Sequence, residues 1–521
     1  MPEVFDSLCI ALAFVMGLLM RPLRLPPLVG FLAAGFLLRG FTDALSIPEQ
    51  AGPVLRYVSH TGVLLLLFTV GLKLRVKPLL QAHVLGVSIL HFVIITAIIA
   101  LALHATLNLD IQKTILVAVA LSFSSTVFAA KVLESKRELG SFHGRIAIGI
   151  LILQDLLALG AMTVATTARP SPYAALLLLL PLLRPVLDRL LDLAGHDELL
   201  VLFGALLSVG IGGAGFHLLG LSSELGALTM GVLVGRHHRA KELAEALFSI
   251  KEIFLVGFFL QIGMSGLPTL ADWTFAGAVV LLLPIKCLLF VLLLTRFRLR
   301  ARNAFLAGLS LATFSEFGLI VSQVLMPEWL VPLALATALS FLIAAPLNRL
   351  SHQWAERLAP ALLPLESGEG HPDEQPVRFG EARVIIFGMG RTGTAAYSHL
   401  EPHEPQIAGV DADPVVVERH AKMGRTVHYA DVEDAGFWSC VKLSGVQAII
   451  LAIQDFESKL IACKKLRALG FRGLIVAHTL YEDESRLIND AGADKTYLTM
   501  TGAGLGLGEH VRQHLGVPGP S

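Results

Sequence analysis

The distribution of apolar residues divides the chain into two parts of different character. From residue 4 to residue 348, apolar stretches follow one another with only short polar breaks between them. About thirteen of them are candidates for the apolar helix of ~20 residues that a bilayer requires. They lie near residues 4–20, 26–41, 54–72, 84–108, 111–132, 146–168, 172–190, 198–219, 222–235, 248–266, 274–295, 303–325 and 329–348. This pattern predicts a polytopic α-helical domain embedded in a lipid bilayer over residues 1–355.

The pattern changes after this membrane domain. Residues 356–381 are rich in proline, glycine and acidic residues, and we interpret them as a linker. Residues 382–500 alternate short apolar strands with more polar helical segments, which is typical of a Rossmann-like α/β domain. The predicted strands are 383–387, 407–411, 427–429, 448–452 and 473–477. Residues 501–521 form a tail that is too short for another domain.

Composition and charge support this division and exclude some classes of partner. Of the 521 residues, 54% are hydrophobic and 16% are charged, whereas about a quarter of a soluble chain is charged. The 41 basic residues are balanced by 41 acidic ones, which argues against nucleic acid as a partner. The four cysteines form no close pair in the sequence, so neither a disulfide framework nor a zinc site is indicated.

Basic residues between the apolar stretches predict the orientation of the membrane domain. They are concentrated in alternate loops, for example at Arg21, Lys131, Lys136, Arg236 and the segment 296–302. Because cytoplasmic loops carry the excess of Lys and Arg, we expect the N-terminus outside and the C-terminal domain in the cytoplasm.

The two halves of the membrane domain resemble each other. Three pairs of segments match in the same order: 25–35 with 221–231, 68–72 with 260–264, and 121–126 with 309–314. The members of each pair are seven positions apart in the order of predicted spans, an odd number, so the two copies have opposite orientations in the membrane. Inverted repeats are typical of secondary transporters, whose site lies at the midplane between the copies.

The most informative polar residues are Gln154 and Asp155, which lie inside the apolar stretch 146–168. An ionised Asp at mid-membrane costs about 2.5–3.5 kcal/mol on insertion scales, so it is rarely retained without a function. A carboxyl group avoids this cost either by taking up a proton or by pairing with a cation. Alternation between these two states predicts a cation/proton exchanger, whereas the alternative is a structural Asp hydrogen-bonded to a neighbouring helix.

Two further stretches are predicted to contain broken helices. Small hydroxyl and acidic residues interrupt them: Ser122, Ser124, Ser125 and Thr126 in one, and Thr313, Ser315 and Glu316 in the other. We expect crossed half-helices here, with Ser125 and Thr126 joining Asp155 and Gln154 at the ion site. Alternatively, the small residues only allow close packing of helices. Lys286 and Glu316 are interpreted as supporting charges, which either pair with each other or complement the dipoles of the broken helices.

A glycine motif in the soluble part indicates a nucleotide site. Gly388, Gly390 and Gly393 follow a predicted strand and open a helix, and Asp411 ends the next strand. Gly388 would allow the tight turn, Gly390 the approach of a phosphate, and Gly393 close packing of helix and strand. The helix N-terminus, with Arg391 and Thr392, would face the phosphates, and Asp411 would accept ribose hydroxyl groups. The alternative is the same fold with an empty pocket.

Taken together, these motifs resemble one known family. Leu25-Pro-Pro-Leu-Val-Gly, Leu65-Leu-Leu-Phe-Thr-Val-Gly-Leu, Leu121-Ser-Phe-Ser-Ser-Thr and the Gln154-Asp155 pair resemble the Kef-type potassium/proton antiporters of the monovalent cation:proton antiporter-2 family. The soluble part resembles the TrkA-N (RCK) domain of these transporters. Tyr429-Ala-Asp431-Val-Glu stands where that domain has Tyr-Gly-Asp-Ala, which implies that Asp431 faces the base or ribose of a nucleotide.

The resemblance implies an activity, partners and a location. It implies potassium efflux coupled to proton entry across the bacterial cytoplasmic membrane, a homodimer, and regulation by a nucleotide such as AMP or NAD(H). It also implies that Asp155 carries the ion and the proton. Two residues depart from the family pattern, Lys73 in place of a Glu and Ala430 in place of a Gly. The chain ends soon after the Rossmann unit, so we do not expect glutathione control.

Three other functions are compatible with parts of the sequence. A sodium/proton antiporter is the main alternative, because one carboxylate beside a glutamine leaves the choice of cation open. A nucleotide-gated cation channel would need a ring of carbonyl groups, and no segment resembling Thr-Val-Gly-Tyr-Gly is present. A membrane-anchored NAD-dependent enzyme would need a substrate domain after the glycine motif, so we do not expect an enzyme. The stoichiometry and the identity of the nucleotide stay open.

Overall fold

The structure is a computed structural model, and it describes most of the chain. The described residues are 2–22, 25–45, 52–73, 81–107, 110–136, 138, 141–165, 171, 177, 179–366, 379–430, 432, 437–438, 441–479 and 481–515. The chain forms two compact units, one made of Met1–Glu134 and Arg145–Glu369 and the other of Ser135–Gly144 and Gly370–Ser521.

All described secondary-structure elements of the first unit are helices. Its helices are α1 (Pro2–Met20), α2 (Pro27–Leu45), α3 (Gly52–Lys73), α4 (Ala82–Leu107), α5 (Ile111–Ser122), α6 (Thr126–Ser135), α7 (Phe142–Ala165), α8 (Leu180–Leu193), α9 (Glu198–Ala205, continued by a π-helix Leu206–Gly215 and a turn Phe216–Leu218), α10 (Ser223–Val234), α11 (Ala240–Met264), α12 (Leu270–Val280), α13 (Leu283–Arg296), α14 (Ala301–Leu311), α15 (Glu316–Leu325), α16 (Leu330–Arg349) and α17 (Ser351–Leu362). Short 3₁₀-helices occupy Pro327–Trp329 and Leu363–Leu365.

These helices confirm a polytopic membrane unit. Among the described residues, 7 helical segments are long and apolar enough to cross a bilayer, or 8 if the bent pair α14–α15 counts as one span. Shorter apolar helices cover Ser7–Met20, Pro27–Phe41 and Ser223–Val234. The predicted number of about 13 spans therefore stays a prediction. In the predicted stretch 172–190, the described helix α8 begins only at Leu180, and it extends to Leu193.

Both predicted breaks are present. Helix α5 ends at Ser122 and α6 begins at Thr126, with Phe123 in an extended conformation between them. Helix α14 ends at Leu311 and α15 begins at Glu316, with a bend of 41° between them. The second half-helix of one pair packs against the first half-helix of the other, since Gly318 of α15 lies against the backbone of Ala120 in α5. The prediction of crossed broken helices is confirmed.

Glycine contacts support the inverted repeat. A Cβ atom on Gly35 of α2 would lie 2.8 Å from Gly263 Cα of α11, so the two backbones touch there. A Cβ atom on Gly71 of α3 would lie 3.0 Å from the carbonyl carbon of Gly231 of α10. The matched segments pair Gly35 with Gly231 and Gly71 with Gly263. Each contact is therefore the image of the other under the repeat, as expected for two copies related by a pseudo-twofold axis.

The second unit is a doubly wound α/β domain. Its elements are β1 (Val384–Phe387), α18 (Arg391–Leu400), β2 (Ile407–Asp411), α19 (Pro414–Lys422), β3 (Val427–Tyr429), β4 (Ala448–Leu451), α20 (Phe456–Ala468), β5 (Leu474–Thr479), α21 (Glu482–Asp490), β6 (Lys495–Leu498) and α22 (Thr499–His514). The six strands are parallel and lie in the order β3-β2-β1-β4-β5-β6, and Val384 of β1 pairs with Ile407 on one side and Ala448 on the other. This strand order is the one typical of dinucleotide-binding folds, which confirms the predicted Rossmann-like domain.

The structure differs from the sequence prediction at three places in and around this unit. Strand β6 was not predicted, because it is a half-exposed edge strand without an apolar run. Helix α17 continues to Leu362, inside the predicted linker, and residues 367–378 of that linker lie outside the described residues. Helix α22 covers most of the predicted tail, of which residues 516–521 lie outside the described part.

Candidate functional site

Gln154 and Asp155 lie on α7, directly opposite the break between α5 and α6. Their side chains are 1% and 3% exposed, so both are buried inside the protein rather than facing its surface. Gln154 Oε1 accepts a hydrogen bond of 2.9 Å from the backbone N–H of Ser124. The amide side chain therefore satisfies a backbone donor that the break leaves free, as buried backbone groups require.

Asp155 has a single hydrogen-bond donor among the described residues. Thr126, the first residue of α6, places its hydroxyl oxygen 3.3 Å and 3.2 Å from the two carboxylate oxygens of Asp155. None of the described basic residues forms an ion pair with Asp155. Because the carboxylate is buried without a fixed positive partner, its charge is left to be neutralised by a proton or by a mobile cation.

Ser125 forms its hydrogen bond with a different carboxylate, that of Glu316. Its hydroxyl donates a 2.7 Å hydrogen bond to Glu316 Oε2 and accepts one from the N–H of Phe128 at 3.1 Å. Of the two hydroxyl residues that the sequence assigns to the ion site, the structure brings Thr126 to Asp155 and places Ser125 at Glu316.

Glu316 lies between the N-termini of two half-helices. It is the first residue of α15, and its Oε1 also accepts a hydrogen bond of 3.4 Å from the N–H of Val127 in the first turn of α6. Helix N-termini carry unpaired N–H groups and a partial positive charge. A carboxylate at this position stabilises both half-helices at once.

Lys286 occupies the complementary position at the C-terminal ends. This residue of α13 is 1% exposed, and its ammonium group donates to Phe123 O at 2.6 Å, Thr313 O at 2.8 Å and Leu121 O at 3.4 Å. These carbonyl groups belong to the ends of α5 and α14, where the helix dipole is negative. The described residues contain no ion pair between Lys286 and Glu316. The geometry thus favours the second of the two roles that the sequence allowed, namely complementing the broken helices.

Several polar atoms around the two breaks have no hydrogen-bond partner in the described part of the protein. They are Gln154 Nε2, Ser124 Oγ and Thr313 Oγ1, and each is buried. Buried polar atoms are usually hydrogen-bonded, so a group of unpaired ones marks a place for water or an ion. Gln154 Nε2 belongs to the residue next to Asp155, whereas Ser124 Oγ and Thr313 Oγ1 lie in the two breaks.

Two further buried ionisable residues lie near this centre, Lys251 and His91. Lys251 of α11 was not singled out from the sequence. It lies over the ring of Phe248 and 3.0 Å from Glu252, and its charge is close enough to act on Glu316. The sequence does not indicate it, because other charged residues of α11 lie close to Lys251 in the chain. His91 of α4 is fully buried, and its ring stacks on Phe290 with 3.5 Å between centroids.

The glycine motif of the second unit has the geometry that a nucleotide-binding turn needs. Gly388 has φ +90°, a value that favours glycine, and a Cβ atom there would lie 2.9 Å from the backbone of Ala452. No atom of the described residues lies within 4 Å of the position of a Cβ on Gly390, whereas a Cβ on Gly393 would collide with the carbonyl of Gly388. The space above Gly390 is thus open at the N-terminus of α18, and Gly393 allows close packing of α18 against the turn.

The other predicted nucleotide residues surround the same turn. Asp411 ends β2, and its carboxylate accepts hydrogen bonds from Met389 N at 2.6 Å and from Asp413 N at 2.8 Å. Arg391 and Thr392 are exposed in the first turn of α18. Asp431 lies outside the described residues.

Sequence reasoning missed two residues at the carboxyl ends of the strands, one buried (Lys459) and one partly buried (His478). Lys459 of α20 donates a 2.9 Å hydrogen bond to the carbonyl group of His478 in β5. Burial lowers the pKa of Lys459, and the nearby carboxylates of Glu484 and Asp455 oppose this shift. Burial also lowers the pKa of His478, and the charge of Lys459 lowers it further. Neither residue belongs to a recognisable motif, so only the fold brings them to this edge.

Comparison with known proteins supports both units. The profile of the family described as sodium/hydrogen exchanger, transmembrane, matches residues 10–348, and that of the TrkA-N domain matches residues 384–499. A protein of Alkalimonas amylolytica named as a K(+) efflux antiporter, KefB, is 26% identical over 99% of this chain and 83% of its own length. The glutathione-regulated potassium-efflux system protein KefC of Escherichia coli O157:H7 is 28% identical over 91% of this chain and 79% of its own length.

A further relative and a solved structure agree with these matches. A protein of Escherichia coli K12 named as a cation/proton antiporter, YbaL, is 24% identical over 94% of this chain and 93% of its own length. The structure of the sodium proton antiporter MjNhaP1 from Methanocaldococcus jannaschii covers 71% of this chain and 99% of its own, with a TM-score of 0.51 at 16% identity. This last likeness concerns the fold of the membrane unit. The chain therefore belongs to the transmembrane sodium/hydrogen exchanger family, as a Kef-type cation/proton antiporter that carries a TrkA-N domain.

Proposed function

We propose that the protein exchanges potassium ions for protons, with Asp155 alternately protonated and bound to the cation. The observation that carries this proposal is a buried carboxylate whose one described hydrogen-bond donor is the Thr126 hydroxyl, while Lys286 is committed to three carbonyl groups. A permanent basic partner would remove the competition between proton and cation on which exchange depends. In the cation-bound state, the carboxylate of Asp155 and the hydroxyl of Thr126 supply oxygen ligands.

Potassium is favoured because relatives similar over nearly the whole chain, KefB and KefC, are named for potassium efflux. Sodium is the second candidate, because the matched family and the similar fold of MjNhaP1 are both described as sodium/proton exchangers. Transport into proteoliposomes with an internal pH dye distinguishes them. We expect potassium to dissipate a preset proton gradient faster than sodium or lithium, and a response to sodium alone would establish the second candidate.

The soluble domain is proposed to regulate this exchange by binding a nucleotide such as AMP or NAD(H). Support comes from the open space above Gly390 and from the position of Asp411 beside the same turn. We further propose a homodimer in the bacterial cytoplasmic membrane with the N-terminus outside and the TrkA-N domain in the cytoplasm. The distribution of basic residues among the loops supports this orientation.

Replacing Thr126 by valine should weaken cation binding while leaving the fold intact. The change removes the one described hydroxyl group at Asp155, and one hydrogen bond or oxygen ligand is worth about 1 kcal/mol or somewhat more. We expect the cation concentration for half-maximal exchange to rise about tenfold. Thr126→Ser, which keeps the hydroxyl group, serves as the matched control and should resemble the wild type. Equal behaviour of the valine and serine variants would show that the hydroxyl group does not contact the cation.

Replacing Gly390 by aspartate should prevent nucleotide binding without destabilising the domain. The added carboxylate enters open space at the N-terminus of α18, where it repels a phosphate and competes for the same N–H groups. Thermal-shift measurements with AMP, ATP, NAD and NADH on the full-length protein test this. We expect stabilisation by at least one of them in the wild type and in the control Gly504→Asp, which also enters open space. Equal stabilisation of Gly390→Asp would contradict the assignment of this turn.

A further inference from the structure

Two histidines and an aspartate from separate parts of the first unit converge away from the transport centre. They are Asp192 in the last turn of α8, and His237 and His238 in the turn between α10 and α11. One potential ligand atom from each of them lies within 4.8 Å of the others. His237 Nε2 is 3.3 Å from Asp192 Oδ1, and the two imidazole rings are tilted by 40° with 4.3 Å between centroids.

Among the described residues, Asp192 forms no direct ion pair with an arginine or a lysine, although the charge of Arg239 acts on it. Two neighbouring acids each pair with an arginine, Asp188 with Arg184 at 3.4 Å and Glu242 with Arg239 at 2.9 Å. Arg239 also donates to the carbonyl groups of Leu191, at 2.8 Å, and of Gly195, so it holds the end of α8. Among the described residues, the ion-pair partner of Asp192 is His237, whose charge depends on its protonation.

The three side chains also offer an accessible set of donors. Asp192 and His238 are exposed, and His237 is partly buried beside them. Two imidazole nitrogens and one carboxylate oxygen suit Zn²⁺, Co²⁺ and Ni²⁺, with the remaining positions taken by water. Monovalent alkali ions prefer oxygen ligands, so this site would not compete for the transported cation.

We propose that Asp192, His237 and His238 bind a divalent transition-metal ion of the Zn²⁺ class. Coordination through Nε2 of His237 requires that the proton of the ring is on Nδ1. In the structure, Nδ1 accepts a hydrogen bond of 3.3 Å from the backbone N–H of Arg239. Because a protonated Nδ1 cannot accept it, this hydrogen bond opens when the ion binds. The ion joins the C-terminal end of α8, which lies between the two repeats in the sequence, to the turn between α10 and α11. Because the ion binds only the folded arrangement, it raises thermal stability according to its concentration.

Metal binding is measured on the full-length protein, purified in detergent without a polyhistidine tag. Co²⁺ is titrated while its visible absorption is followed, Zn²⁺ is used as a competitor, and the melting temperature is recorded with and without Zn²⁺. We expect one site per chain and a higher melting temperature with Zn²⁺. Asp192→Asn and His238→Ala each remove one ligand and should weaken binding by about tenfold or more.

His104→Ala is the matched control, because His104 is an exposed histidine in the last turn of α4, outside the cluster. It should bind Co²⁺ and Zn²⁺ as the wild type does. Asp155→Asn should also bind normally, which separates this proposal from the transport mechanism. The proposal is overturned if the wild type shows no saturable site, or if the Asp192 and His238 variants bind as tightly as His104→Ala.

Discussion

Replacing Asp155 by asparagine should reduce cation/proton exchange by about 100-fold or more. The amide keeps the size of the side chain and can still accept the hydrogen bond of Thr126. It cannot take up a proton or supply a negative charge, so both halves of the exchange cycle are lost. The measurement is dissipation of a proton gradient by potassium or sodium in proteoliposomes of equal protein content.

Asp110→Asn is the control for this variant. Asp110 is the N-cap of α5, and asparagine caps a helix about as well as aspartate does. The control should therefore transport at the wild-type rate. If Asp155→Asn exchanged cations and protons as fast as Asp110→Asn, a residue other than Asp155 would have to carry them. Because Asp155→Asn removes a buried charge, its melting temperature should not fall below that of the wild type.

Replacing Lys286 by methionine should destabilise the membrane unit strongly. Methionine fills a similar volume but leaves the carbonyl groups of Phe123, Thr313 and Leu121 without their donor. Removing one partner from a buried charged network costs about 3–5 kcal/mol. We expect a clear fall in the melting temperature of the detergent-solubilised protein, followed by tryptophan fluorescence.

Lys113→Met is the matched substitution for this experiment. Lys113 pairs with Glu328 at 3.2 Å, but both side chains are more than half exposed, and such pairs contribute about 0–1 kcal/mol. Its melting temperature should stay close to that of the wild type. If Lys286→Met had the same melting temperature as Lys113→Met, the carbonyl groups at the helix ends would not need the lysine.

Much of the architecture could be predicted from the sequence because its signals are local. Long apolar stretches indicate membrane helices, and the strand–glycine–helix order around Gly388 indicates a Rossmann-like fold. Gln154 and Asp155 stand out because charge inside an apolar stretch is costly. Strand β6 was missed because edge strands carry no apolar run, and α17 because its apolar residues follow helical spacing within a polar segment.

The detailed geometry of the sites depends on contacts between distant segments, which sequence spacing does not contain. The sequence allows two roles for Lys286 and Glu316, and only the positions of the half-helix ends in the structure favour one of these roles. Ser125 and Thr126 are adjacent in sequence, yet the turn into α6 directs their hydroxyl groups to different carboxylates. Likewise, Asp192 meets His237 and His238 only because α8 ends beside the turn between α10 and α11.

The placement of Lys286 and Glu316 has an electrostatic consequence for the centre as a whole. The lysine faces two negative helix ends and the glutamate faces two positive ones, so the crossing of the half-helices is neutral without any bound ion. When Asp155 is ionised, its negative charge is the one charge of this group that no other charge compensates. A single positive charge would restore neutrality, so the exchange proposed for Asp155 requires that the proton and the alkali ion bind there one at a time.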